Sequence, residues 1–92
     1  MALAELEVSR FTEKDLGEFI ALAHSEYGPS DATNFDHIYW KHAASPFGAS
    51  TYIRLVADGK TVGCALLQPG LICTESGRFK VACVTDVIVA PA

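Results

Sequence analysis

Asp86 stands out by type and setting: it is an acid inside the apolar run Val84-Thr85-Asp86-Val87-Ile88-Val89. Desolvation raises the pKa of a carboxylate in such a strand unless it is paired. With a raised pKa it could take a proton from an amine as a general base. Paired, it is a carboxylate at a sheet face held by Lys, Arg or backbone N–H. Both readings are open on sequence. Tyr27, Phe35, Tyr39 and Trp40 gather around the polar stretch 28–34; they border a binding site or cover a sheet. His24, His37 and His42 lack the spacing of a metal set, and no metal site is expected. Cys64, Cys73 and Cys83 are an odd number with no CxxC pair, each in apolar surroundings. They read as buried or half-buried free thiols. No serine sits in a nucleophile elbow, so neither a Ser-His-Asp nor a Cys-His reading is supported. No GxGxxG or Walker loop occurs.

The elements that must position these residues follow from periodicity. Leu6, Val8 and Phe11 alternate with polar residues, which predicts a strand over 4–11. Thr12 is an N-cap, its hydroxyl placed to accept from the N–H of Asp15. Leu16, Phe19, Ile20 and Ala23 then recur at helical spacing, giving a helix over 13–26 that ends at Gly28-Pro29-Ser30. Thr33 or Asn34 caps a second helix over 35–44, with Phe35, Ile38, Tyr39 and His42 near one face. Pro46 stops it. Strands follow over 51–57, 61–67 and 79–89, the last ended by Pro91. Asp58-Gly59-Lys60 and Thr74-Glu75-Ser76-Gly77 are turns. Gln68-Pro69-Gly70 breaks or kinks the middle strand, which resumes at Leu71–Cys73. The fold class is therefore α/β (α+β): strand, helix, helix, then a three-stranded antiparallel meander with the helices on one face.

Composition narrows the function classes. Ninety-two residues make one small domain, and half of them are hydrophobic, so a core can form. The net charge is −4, and the seven basic residues are scattered. That disfavours nucleic acid, which needs a basic patch, and equally a polybasic membrane anchor. No apolar run reaches the roughly 18 residues of a membrane-spanning helix. Free thiols and the lack of a signal pattern suggest the cytoplasm.

Three segments resemble a known family. They are SRFTEKDLGEFIALA, the hairpin LVADGKTVGCALLQP and the closing VTDVIVAPA. With the order β-α-α-β-β-β, they resemble the first half of a domain of the GNAT superfamily of N-acetyltransferases. The resemblance implies that residues 1–92 are a single partial domain whose last strand leads to the acetyl-CoA site. In the family a loop of form R/Q-x-x-G-x-G/A follows that strand, and its N–H groups hold the cofactor pyrophosphate. The sequence stops at Ala92, where that loop would begin.

The resemblance also implies roles. Asp86 lies near the acetyl-transfer point as a candidate base. Val87, Ile88 and Val89 offer main-chain groups to the pantetheine arm, their side chains being core. Tyr27, Phe35, Tyr39 and Trp40 wall the site of a small-molecule or peptide amine. The reaction implied is direct transfer from acetyl-CoA, with little activity expected of these 92 residues alone. The alternative is a non-catalytic module acting by strand pairing. A homo-oligomer is expected, joined at the edge of the final strand unless the N-terminal strand folds over it.

Overall fold

The computed structural model describes residues 4–90. Strand β1 (Ala4–Arg10) leads through a tight turn, Glu13–Asp15, into helix α1 (Leu16–Tyr27). A second helix, α2 (Phe35–Ile38), runs directly into a wider π-helical turn, Tyr39–Ala43. Strands β2 (Thr51–Ala57), β3 (Lys60–Thr74) and β4 (Gly77–Val89) complete the chain. All four strands form one antiparallel sheet in the order β1-β2-β3-β4. The mixed α+β class and the meander agree with the sequence reading. Pro91 lies outside the described residues.

Local chemistry explains the boundaries. Thr12 and Asp15 form a reciprocal capping box: the Thr12 side chain accepts from the Asp15 N–H as expected, and the Asp15 carboxylate accepts from the Thr12 N–H at 2.8 Å and from the Thr12 hydroxyl. The Asp15 N–H also reaches the Thr12 carbonyl at 2.9 Å. Asn34 caps α2 by accepting from the His37 N–H at 3.0 Å. The β2–β3 turn is Asp58-Gly59, both at positive φ (53° and 72°), which matches the twist of a tight hairpin.

Pro69 does not break β3, contrary to the kink read from Gln68-Pro69-Gly70. The strand continues to Thr74, and Pro69 pairs with Ala82. The reason is topological. β2 flanks β3 only as far as Leu67, so beyond it one side of β3 is an edge, where proline is tolerated.

The core lies between the helices and one sheet face. Leu16, Phe19 and Ala23 of α1, Ile38 of α2 and Phe11 pack on Tyr52, Cys64, Leu66 and Ile88. Phe11, Phe19 and Tyr52 meet edge to face at 5.1–6.1 Å. Tyr52 donates to Glu18 at 2.8 Å, and burial with that bond pushes its phenol well above the usual range. Gly63 permits the close approach of β4: a Cβ there would stand 3.2 Å from the Ile88 carbonyl oxygen.

The opposite sheet face carries Leu6, Val8, Ile53, Leu55, Ala65, Leu67, Val84 and Val89, and no described element packs on it. The alternation in β1 is real, but Leu6 and Val8 face outward here. On α2 only Ile38 is buried, with His42 in the π turn; Phe35 and Tyr39 are exposed. Of the thiols, Cys64 is buried, whereas Cys73 and Cys83 are exposed. Both lie on the part of the β3–β4 hairpin that extends beyond β2.

Candidate functional site

The site grows from an irregularity in β4. Cys64 faces Ile88 and Leu66 faces Thr85, so Ala65 alone stands opposite Asp86 and Val87. This is a β-bulge, and Asp86 adopts φ 51°, rare for a residue with a side chain. The bulge turns Asp86 toward the helical layer. There its Oδ2 accepts from His42 Nε2 at 2.7 Å and from Lys41 Nζ at 2.9 Å. Two adjacent residues reach one oxygen because both lie in the π turn, a feature frequent at functional sites.

The chain of contacts runs deeper. His42 Nδ1 lies 2.7 Å from Ser50 Oγ, and both residues have no solvent exposure. An ionised carboxylate only accepts, so Nε2 carries a proton toward Asp86. In the neutral ring Nδ1 then accepts from the Ser50 hydroxyl. The Ser50 backbone is pinned as well: its N–H donates to the His42 carbonyl and its C=O accepts from the Phe11 N–H, each at 2.8 Å.

Serine, histidine and aspartate are thus brought into line, an arrangement the sequence reading had set aside. It is not a nucleophile system. Ser50 is enclosed, so no substrate carbonyl reaches its Oγ. The line is a buried polar strut between the 44–50 loop, the π turn and the bulge.

Electrostatics follow. The hydrogen bond from His42, with the bond and charge of Lys41, outweighs partial burial and holds the Asp86 carboxyl down to about 2. Of the two readings open for Asp86, the paired one describes its surroundings. So low a proton affinity makes it a weak base as it stands.

The other candidate residues divide. Tyr27 donates to the Val87 carbonyl at 3.2 Å, joining the end of α1 to the bulge. Phe35 and Tyr39 stack with parallel rings at 6.4 Å, and Trp40 lies against His37 at 6.3 Å. All four aromatics are exposed, so none is part of the core. Ile88 is core as expected. Val87 and Val89 are not: they are 53% and 64% exposed, because the bulge and the open face direct them outward.

His42 and Ser50 were missed as site residues. The only local signal was a histidine on the buried side of a predicted helix. Among the described residues no group of three or more His, Cys, Asp or Glu gathers as a metal would require. Among the same residues no helix is long and apolar enough to cross a membrane. Comparison with protein-family models, curated proteins and solved structures found no match.

Proposed function

We propose that the chain is the N-terminal part of an acetyl-CoA-dependent N-acetyltransferase domain, with the bulge in β4 at the acetyl-transfer point. The observation that carries this reading is the convergence on Asp86-Val87 of a strained residue, a bulge, a π turn and the Tyr27 hydroxyl. Strain concentrates where function over-determines the backbone. The resemblance of VTDVIVAPA to the strand that leads to the cofactor points to the same place.

The residues fit the co-substrate in part. No described strand lies outside β4, so the Val87–Val89 stretch offers its outward backbone groups to an extended amide arm such as pantetheine, with the Val87 carbonyl already held by the Tyr27 hydroxyl and Ile88 laddered to Cys64. The R/Q-x-x-G-x-G/A loop for the pyrophosphate does not occur in these 92 residues. In the transfer an amine would attack the thioester carbonyl, and the thiolate would leave. With its carboxyl held at about 2, Asp86 is a weak base, though a stronger one than water; the proton lost by the amine passes by way of Asp86 or a water to the leaving thiolate. The exposed Tyr27, Tyr39 and Trp40 then border the acceptor amine. The free thiols accord with a cytoplasmic location.

Amide shifts on titration with coenzyme A test the reading. Weak binding is expected, because each charge-assisted bond to a pyrophosphate contributes roughly 1.5–3 kcal/mol and that loop is missing. The first amides to move should be Val87, Ile88 and Val89. Shifts confined to other strands, or none at millimolar ligand, would overturn it. A second reading, a non-catalytic module that pairs strands, is favoured by the unpaired β4 edge itself.

A further inference from the structure

The two edges of the sheet differ in character. β1 carries Glu5, Glu7 and Arg10 along one edge. β4 forms the other, with no described strand outside it, since β1 pairs with β2 and does not fold over it. Natural edges are blunted by charge, proline, bulges or brevity. Between Phe79 and Thr85, β4 has Lys80 alone.

The β3–β4 hairpin also outruns its support. Residues 68–74 and 77–83 pair only with each other. An isolated two-stranded ribbon is marginal in water. Its helical-side face carries Ile72, Phe79, Val81 and Cys83, the other face Arg78 and Lys80 among apolar residues, and Ile72 and Phe79 are each 50% exposed.

The surface area says how much is left uncovered. The chain exposes 6192 Å² at a mass of 9.9 kDa. A compact monomer of that mass exposes about 5,200 Å². The excess, about 1,000 Å², is close to the share one partner contributes to a standard interface, about 800 Å². The radius of gyration, 14.4 Å, likewise exceeds the roughly 12 Å of a compact chain this long.

We infer that β4 is the pairing edge for a second copy of this chain, the two joined antiparallel about a two-fold axis at Val81 into one continuous sheet. That axis sets Arg78 opposite Val84, Phe79 opposite Cys83 and Lys80 opposite Ala82. No like charges stand directly opposite, which would be destabilising. Phe79, Val81 and Cys83 of both copies form one apolar row on the helical side. The partner's helical layer, with its exposed Trp40 and Phe47, is carried toward the ribbon's Ile72 and Phe79. The interface is isologous, so it closes at two copies. The remaining edges are β1, where self-pairing centred on Glu7 would oppose that acid to itself. The inference is independent of acetyl transfer.

Sedimentation of the 92-residue chain over a concentration series tests it. The expected result is a mass doubling from 9.9 kDa at high micromolar protein, reversed on dilution. In the same series labelling of Cys83 should slow as concentration rises, while that of Cys73 on β3 stays constant. A Val81→Cys variant, with Cys73 and Cys83 replaced by Ala, should cross-link copy to copy on oxidation. Leu6→Cys in that background should not. A mass fixed at 9.9 kDa with constant Cys83 labelling overturns the proposal. So does a dimer that cross-links through Leu6→Cys and not through Val81→Cys, which would place the partner on the open sheet face.

Discussion

The imidazole of His42, without solvent exposure, meets Asp86 Oδ2 at 2.7 Å across 44 positions of chain. It ties the π turn to the strand bulge, and stability should depend on it in a pH-specific way. The Asp86 carboxyl sits at about 2 in the folded chain, below its ordinary 3.8. A lowered folded pKa stabilises above the unfolded value and is lost as pH falls through the folded one. The contribution, about 2 kcal/mol, should be complete above pH ~4 and gone near pH ~2. Asp86→Asn should remove it and flatten this acid limb in denaturant midpoints taken across pH. An acid limb identical to the parent's would show that the pair contributes nothing.

His42→Phe probes the strut from its centre. The ring contacts with Phe11 and Phe19, at 5.8 and 6.3 Å, can be kept. The Ser50 hydroxyl is left without its partner, and an orphaned buried polar group costs about 1–3 kcal/mol. Ser50→Ala orphans Nδ1 instead and should cost a similar amount. Urea unfolding measures both, and the double variant should cost less than the sum.

Burial pushes the Cys64 thiol up to about 11, whereas Cys73 and Cys83 are exposed. In dilute solution at neutral pH an aromatic disulfide reagent should titrate two thiols of the native chain. The third should react only in denaturant. Three fast thiols would mean that the core around Cys64 opens readily.

Asp58 holds φ 53° in the β2–β3 turn. Asp58→Asn, which favours this conformation, should leave the melting temperature unchanged or raise it. Asp58→Val should cost about 1–2 kcal/mol, since the left-handed region crowds a branched side chain.

The legibility of this fold in its sequence tracks the range of the interactions. Turn chemistry at Asp58-Gly59 and Ser76-Gly77 is local, so the meander could be read residue by residue. Pro69 misled because its tolerance depends on where β2 ends, a property of another strand. Asp86 was visible as an acid among valines, but its partners lie 44 and 45 positions away. Neither His42 nor Ser50 carries a local mark of that meeting. Val87 and Val89 read as core by composition, whereas the bulge and the open face decide their exposure.

The antiparallel ladder between β1 and β2 has a consequence for biosynthesis. Arg10 pairs with Thr51, so β1 has no seat until β2 exists. At roughly 5–20 residues per second, the first strand made waits several seconds for its neighbour, while the hairpins of β2, β3 and β4 close as soon as they emerge. Pulse-labelled amide exchange during refolding should find β1 protected last. Through that interval Glu5 and Glu7 keep an apolar-faced strand in water, which gives the acids of β1 a task the finished sheet does not reveal.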